Sequence, residues 1–104
     1  MKKTKGATFR QRVWRACSRV PRGKVTTYAL LAKAIGSPKA ARAVGNALNA
    51  NPFAPKVPCH RVVKSDGGIG GFAKGVKAKK RLLEKEGIEF AGDKVKDFKK
   101  RLFG

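Results

Sequence analysis

The sequence predicts a single, mostly α-helical domain with short strands, organised around a helix-turn-helix. The chain has 104 residues, which is enough for one modest hydrophobic core. Apolar residues recur at helical spacing from Phe9 to Val20. Two shorter helical patterns follow, joined by Gly36-Ser37-Pro38, an arrangement typical of a helix-turn-helix. On this pattern alone, an ordinary hairpin of two helices in a small bundle is an equal alternative.

The first two helices are predicted from their ends. Residues 1–8 are basic and polar, which is typical of a flexible N-terminus. The helix that begins at Phe9 is expected to end at the turn Pro21-Arg22-Gly23. Thr27 can cap a second, short helix, and Gly36 suits its C-terminal end.

The third helix is predicted to begin at Ser37-Pro38, because serine caps helices and proline favours the first helical position. It should fade near Asn51-Pro52. Arg42 is the one long side chain in its middle, and the side chains at 42, 46 and 49 should lie on or near one face. The rest is small, so the backbone can approach another surface closely; these small residues are Ala40, Ala41, Ala43, Gly45 and Ala47.

A proline-rich loop and a short strand follow the third helix. Residues 51–61 contain three prolines, which predicts an ordered loop without helix. Val62-Val63 reads as a short strand, and the glycine-rich run 65–71 as a turn or loop.

The last third is predicted to contain a helix, a hairpin and a final helical turn. The helix runs from about Val76 to Glu86, with Val76, Leu82 and Leu83 facing inward. Residues 88–95 suggest a small hairpin, and residues 97–103 a final turn of basic helix.

The charge distribution points to a polyanionic partner. The chain carries 26 Lys and Arg against 6 Asp and Glu, a net charge of +20, and residues 1–65 contain no carboxylate. Such an excess favours nucleic acid, although a solvated surface alone would also explain it. The shortage of acids argues against a carboxylate metal centre, and two Cys with one His cannot form a four-ligand zinc site. We therefore expect no metal. We also expect no cofactor, because the glycine cluster after Asp66 lacks both the phosphate-loop and the dinucleotide-binding fingerprint.

No membrane-spanning run and no secretory signal are visible in the sequence. With only two cysteines, a reducing compartment is expected, with both thiols free. The expected location is cytoplasmic and associated with the nucleoid, or nuclear in a eukaryote, with no membrane partner.

One pair of residues could carry covalent chemistry. Cys59 is followed by the only histidine, His60, and by Arg61. A nearby base and positive charge favour the thiolate that acts as a nucleophile, and such a base needs an orienting carboxylate. A buried structural thiol beside a loop histidine remains open as an alternative. The other cysteine, Cys17, lies on the apolar stripe of the first helix and is expected in the core. The carboxylates available are Asp66, Glu84, Glu86 and Glu89.

Four motifs in order then identify a family. Pro58-Cys59-His60-Arg61-Val62-Val63 resembles the active-site signature of the O6-alkylguanine-DNA alkyltransferases, also called methylated-DNA–protein-cysteine methyltransferases. The run from Pro38 to Gly45, the pair Asn51-Pro52 and the segment Leu83 to Gly87 fall at that family's spacings. The resemblance covers roughly residues 8–90 and is to the family's C-terminal catalytic domain. In the segment Phe72-Ala73-Lys74, many members of the family have Tyr at the first position, Ser or Ala at the second and Gly at the third. The chain departs from this pattern at Phe72 and Lys74.

The resemblance implies a role for each matching residue. Cys59 would accept the alkyl group, His60 would take its proton through a water, and Glu86 would orient that histidine. Asn51 would brace the active-site loop, Tyr28 would donate a proton towards guanine N3, and Arg42 would fill the gap left by the flipped nucleotide. The small residues of the third helix would lie in the minor groove, and Ser65 would also contact DNA. The pocket would be lined by Val62, Gly70 and Phe72.

The resemblance therefore implies single-turnover repair of O6-alkylguanine, and by the same chemistry O4-alkylthymine, in double-stranded DNA by a monomer with a winged-helix-like fold. We expect a flexible segment over 1–8, the catalytic and DNA-binding domain over 9–90, and a basic hairpin and tail over 91–104. Two alternatives remain: a lesion sensor that does not transfer the alkyl group, and a basic helix-turn-helix architectural protein.

Overall fold

The computed structural model describes residues 8–52 and 56–103, so most of the predicted flexible N-terminus lies outside the described residues. Within this part, the fold is mostly helical with short strands, as predicted. Its helices are α1 (Phe9–Ser18), α2 (Tyr28–Ala34), α3 (Ala41–Asn49), α4 (Val76–Lys85) and α5 (Phe98–Arg101). Its strands are β1 (Thr26–Thr27), β2 (Val62–Val63), β3 (Phe90–Ala91) and β4 (Lys94–Val95).

Helix α1 begins with a reciprocal capping box. The Oγ1 atom of Thr8 accepts a hydrogen bond from the backbone N–H of Gln11, and the Gln11 side chain accepts one from the Thr8 N–H. Val13 and Cys17 face the core. Trp14 donates its indole N–H to the Ala47 carbonyl at 2.8 Å, which ties α1 to α3.

Helix α2 has the ends that the sequence predicts. Thr27 accepts a hydrogen bond from the Leu30 N–H, and Gly36 adopts a φ of +79° just beyond the last turn. Helices α1, α2 and α3 then pack around one buried cluster, which includes Val13, Leu31, Val44, Leu48 and Val62.

The prediction that Ser37-Pro38 opens the third helix is wrong. The helix starts at Ala41, and the N-cap residue before it, Ala40, makes no side-chain capping bond. The reason is that Ser37 completes α2: its N–H donates to the Ala32 carbonyl while the Gly36 N–H donates to Lys33. This pair of bonds is a Schellman motif, so a separate turn is needed before the next helix can begin.

The residues before β2 also differ from the predicted loop, because Cys59–Arg61 form a 3₁₀ turn. β2 then pairs in parallel with β1, a strand that the sequence did not predict, in the register Thr26↔Val62 and Thr27↔Val63. This pairing places the turn Cys59–Arg61 next to the cluster that α1, α2 and α3 bury.

Helix α4 buries the predicted Leu83 but not the predicted Val76. Leu83 is fully buried as expected, but the Val76 side chain is 44% exposed. Lys79 takes the inward position one turn later and is 0% exposed. Leu83 joins a second cluster with Val25, Val63, Ile88 and Val95.

The C-terminal segment forms the predicted hairpin and helical turn and packs against the loop after β2. β3 and β4 pair antiparallel, and the backbone of that loop bonds to them through Ile69 N–H to Asp93 and Val95 N–H to Gly67, each at 2.9 Å. The Phe98 ring contacts Gly67 so closely that a Cβ there would lie 3.2 Å from it. None of the described helices is both long and apolar enough to cross a membrane.

Candidate active site

Cys59 is the first residue of the 3₁₀ turn and is half-buried against the three-helix cluster. Its backbone N–H donates to the Val57 carbonyl at 2.8 Å. The side-chain amide of Asn51 donates to the same carbonyl at 2.9 Å. One acceptor thus joins the end of α3 to the residue that carries the thiol, so Asn51 is placed to brace this loop.

Cys59 opens onto a cavity of about 290 Å³. This volume is close to the lower end of the roughly 300–1,000 Å³ of small-molecule sites, which fits a single nucleobase. A larger apolar groove of about 400 Å³ between α1, α2 and Phe103 contains none of the predicted catalytic residues. The cavity is lined by Tyr28, Gly45, Asn46, Leu48, Asn49, Cys59, Lys64, Gly70, Gly71, Phe72 and Ala73.

The structure places two of the three predicted pocket residues at this cavity. Gly70 and Phe72 line the cavity. Val62 does not, because its side chain is fully buried in the core cluster. Ser65, for which the resemblance implies a contact with DNA, lies in the exposed turn after β2 and does not line the cavity.

His60 and Glu86 form the predicted pair. The Nε2 atom of His60 lies 3.0 Å from Oε2 of Glu86, and the two side chains are only 4% and 9% exposed. An ionised Glu86 can only accept, so it fixes the neutral imidazole with its hydrogen on Nε2 and its lone pair on Nδ1. The ring is thus prepared to take a proton at Nδ1.

Arg61 completes this network, a role that the sequence analysis missed. Its Nε and Nη2 donate to the two oxygens of Glu86 at 2.9 and 2.6 Å, and its Nη1 donates to the Val20 carbonyl at 2.8 Å. Paired donors of this kind suit the fork geometry of a guanidinium. The motif gave a signal, since a charged residue directly follows Cys59-His60.

The network sets the protonation of its members. Burial acts to raise the pKa of Glu86, but the hydrogen bonds from Arg61 and His60 outweigh it and hold that pKa below its ordinary value. Burial lowers the pKa of His60 against the opposing effect of Glu86. Both shifts favour a carboxylate beside a neutral imidazole at neutral pH.

Lys79 is the second charged residue that the sequence analysis missed. Its ammonium donates to the Gly71 carbonyl at 3.0 Å and lies 5.8 Å from the centre of the Tyr28 ring. Burial lowers its pKa to about 8, and the charge of Cys59 opposes that shift. The spacing could have revealed it, since position 79 lies three residues after Val76 and four before Leu83, on the predicted inward face.

Tyr28 lines the cavity beside Gly45 and Gly70. Burial raises the pKa of its hydroxyl, and the charge of Cys59 acts in the same direction, so the phenol stays protonated at neutral pH. Gly70 has a φ of +74°, and a Cβ there would lie 3.1 Å from the Tyr28 oxygen. Only glycine allows this approach without strain.

Helix α3 borders the mouth of the cavity. Arg42, Asn46 and Asn49 are exposed, whereas Val44, Ala47 and Leu48 face the core. The outward face therefore carries one long cationic side chain among small ones, with Ala43 exposed and Ala40, Ala41 and Gly45 partly so. Among the described residues, no group of three or more His, Cys, Asp or Glu side chains could hold a metal ion.

Comparison with known proteins assigns the family. Residues 8–88 match the family described as 6-O-methylguanine DNA methyltransferase, DNA binding domain. The chain belongs to this family. The match includes every predicted catalytic residue from Tyr28 to Glu86, and it agrees with the helix-turn-helix-like fold described above.

Curated and solved members of this methyltransferase family support the assignment. The methylated-DNA–protein-cysteine methyltransferase of Methanosarcina acetivorans is 49% identical over 79% of this chain and 53% of its own length. The Mycobacterium tuberculosis OGT, solved in complex with DNA, has a TM-score of 0.75 at 47% identity over 78% of this chain and 50% of that chain. The chain thus spans about half the length of these relatives.

A shorter structural relative matches end to end. The S. pombe Atl1, solved with damaged DNA containing O6-carboxymethylguanine, has a TM-score of 0.80 at 31% identity. The alignment covers 100% of this chain and 99% of that chain.

Proposed function

We propose that this protein repairs double-stranded DNA by transferring the alkyl group of O6-alkylguanine to Cys59. The observation that carries the proposal is the placement of the Cys59 thiol on a nucleobase-sized cavity, directly before a histidine that is bonded to a buried carboxylate. The Cys59 thiolate forms an S–C bond while the C–O6 bond breaks, and the electron pair of that bond passes to guanine. The thioether is stable, so each molecule acts once.

His60 and Glu86 act as the base and its orienting group in this proposal. Nδ1 of His60 takes the thiol proton through a bridging water, and Glu86 keeps the hydrogen of the ring on Nε2. Asn51 holds the loop through Val57. Tyr28 supplies a proton to guanine N3 as the base leaves, because its hydroxyl stays protonated beside the cavity.

Access to the lesion requires that the nucleotide leave the duplex. A thiol cannot reach a stacked base, so the nucleotide must be flipped at a cost of a few kcal/mol. Arg42 is exposed on the helix that borders the cavity and fills the gap in the base stack. The small side chains of Ala40, Ala41, Ala43 and Gly45 let α3 lie in the minor groove, with Ser65 and the surrounding lysines and arginines on phosphates.

The proposal also assigns the parts of the chain. Residues 9–90 form the unit that corresponds to the C-terminal catalytic domain of the longer relatives, and residues 91–104 add a basic hairpin and tail. The active form is a monomer, and O4-alkylthymine is a second substrate by the same displacement.

The test is intact mass after incubation with duplex DNA that contains one O6-methylguanine. The protein should replace one thiol hydrogen with a methyl group, and peptide mapping should place that group on Cys59. Cys59→Ser should abolish transfer yet keep selective binding of the lesion. The matched control, Cys17→Ala, should still transfer, because burial raises the pKa of that thiol to about 12.

The end-to-end match with Atl1 supports one alternative function, a sensor that binds the lesion without removing the alkyl group. In that case the mass stays unchanged while binding remains selective for the lesion. Equal affinity for lesion-containing and unmodified DNA would refute both the alkyl-transfer function and the sensor function.

A further inference from the structure

The cavity wall beside Cys59 carries positive charge. Lys64 is the one charged side chain among the residues that line the cavity in the described part of the chain. A second ammonium, that of Lys79, lies directly behind the wall, where it donates to the Gly71 carbonyl. A neutral methyl group gains little from such a wall.

Tyr28, Lys64 and Lys79 all approach Gly70. A Cβ at this position would lie 3.1 Å from the Tyr28 oxygen, 3.5 Å from Cγ of Lys64 and 3.5 Å from Nζ of Lys79. Because the position has no side chain, the stem of one lysine and the ammonium of the other reach the same part of the wall.

Lys64 is held at its backbone, and among the described residues its ammonium forms no close ion pair. Its N–H donates to the Gly68 carbonyl at 2.8 Å, and its carbonyl accepts from the Gly67 N–H at 2.9 Å. In the nearby carboxylate of Asp66, Oδ1 accepts from the Gly68 N–H and Oδ2 lies 3.9 Å from Nζ of Lys94. That hydrogen bond, with the charges of Lys94 and Lys64, lowers the pKa of Asp66. Within residues 8–52 and 56–103, no acidic side chain comes within 4 Å of the Lys64 ammonium.

We infer that this cavity selects O6 adducts that end in a carboxylate, with Lys64 as the specificity-determining residue. The inference rests on the proposed alkyl transfer. A carboxymethyl group is the smallest adduct of this kind that keeps a reactive CH₂ next to O6. Its carboxylate would pair with the ammonium of Lys64, and a charge-assisted hydrogen bond of this type is stronger than a neutral one.

The reaction is the same displacement. The Cys59 thiolate forms a bond to the CH₂ carbon, the bond from that carbon to O6 breaks, and its electron pair passes to guanine, which takes up one proton. The product is S-carboxymethylcysteine, and no oxidant, reductant or co-reactant is required.

The test compares three duplexes that differ only at O6 of one guanine: methyl, carboxymethyl, and the neutral carbamoylmethyl group of nearly the same size. Single-turnover rates are measured by intact mass for the wild-type protein, Lys64→Met and Lys64→Arg. The wild type should prefer carboxymethyl over carbamoylmethyl about tenfold, which corresponds to about 1.4 kcal/mol. Lys64→Met should remove this preference, and Lys64→Arg should keep most of it.

Lys96→Met is the matched control, because it removes one exposed lysine that does not line the cavity. It should lower all three rates by the same factor and leave their ratios unchanged. An equal effect of Lys64→Met on all three duplexes would overturn the inference, because Lys64 would then only contact phosphate.

The two proposals can fail separately. If the methyl group is transferred but the carboxymethyl group shows no preference, the inference is wrong and the proposed function stands. If no duplex changes the mass, the proposed transfer is wrong. Binding of the Cys59→Ser protein to the same duplexes then decides the inference, since a preference that Lys64→Met removes supports it and equal affinities refute it.

Discussion

Replacing Lys79 with methionine should stabilise the fold at neutral pH. The lysine is 0% exposed, and burial lowers its pKa from 10.5 to about 8. A shift of this size corresponds to about 3 kcal/mol of unfavourable free energy for burying the charged form. Methionine fills a similar volume without a charge, so it removes this penalty.

Two lost contacts reduce the gain. The hydrogen bond from Lys79 to the Gly71 carbonyl is worth about 1 kcal/mol, and the contact with the Tyr28 ring about 0.5 kcal/mol. Gly71 is exposed, so its carbonyl can bond to water instead. The variant should therefore be about 1.5 kcal/mol more stable than the wild type at pH 7.

The advantage should depend on pH with a definite sign. The pKa of Lys79 is lower in the folded protein, so between about pH 8 and 10.5 the unfolded chain binds more protons. The stability that Lys79 contributes therefore rises through this interval and is lost as pH falls back through 8. The methionine variant has no such dependence, and its advantage should disappear by about pH 10.

Urea unfolding at pH 7 and pH 10 measures this difference, with Lys77→Met as a control that removes an exposed lysine of the same helix. The control should stay within about 0.5 kcal/mol of the wild type. A Lys79→Met protein that is less stable at pH 7, by an amount that does not change with pH, would refute the reasoning. Alkyl transfer should slow in the same variant, because the ammonium lies 5.8 Å from the centre of the Tyr28 ring and interacts electrostatically with Cys59.

Four further predictions concern the site and its support. Arg42→Ala should lower affinity for a lesion duplex about tenfold but for an unmodified duplex less than threefold; equal losses in a titration would make it a phosphate contact. Tyr28→Phe should slow transfer with an unchanged melting temperature, and an unchanged rate would remove it from the mechanism. Phe98→Ala should cost about 2 kcal/mol in urea unfolding, roughly half the value for a fully buried ring, because it is half-buried against Gly67. Because burial lowers the pKa of His60, the pH at which the transfer rate falls to half should lie below the roughly 6.5 of an ordinary histidine; a midpoint at or above that value would contradict this.

The elements that the sequence predicted well are those with local signals. Thr27 and Gly36 bound α2 because capping and a positive φ depend on a few neighbouring residues. The start of α3 was misplaced although its signal was also local, because Ser37 could serve either helix and the structure uses it to end α2. The pairing of β1 with β2 could not be predicted, since it joins residues far apart in the chain.

The site was predicted through its motifs more than through its physics. The sequence correctly predicted the contact between His60, next to Cys59, and Glu86. It predicted Arg61 only as a positive charge near the thiol, although Arg61 donates to both oxygens of Glu86. Lys79 was missed because apolar periodicity assumes that charged side chains face water.

The two omissions have one cause, and it suggests how such sites can be found. Charged residues are rarely buried unless they are paired or bonded, because burial of an unpaired charge is strongly unfavourable. Here Arg61 and Lys79 are both held inward by specific acceptors, and both adjoin the residues proposed to react. A core selected for stability alone would place apolar side chains at these positions. In a chain with a Cys-His-Arg motif, a lysine on the inward face of an amphipathic helix is therefore a signal of the site. The predicted increase in the free energy of unfolding of Lys79→Met directly measures the stability that this arrangement costs.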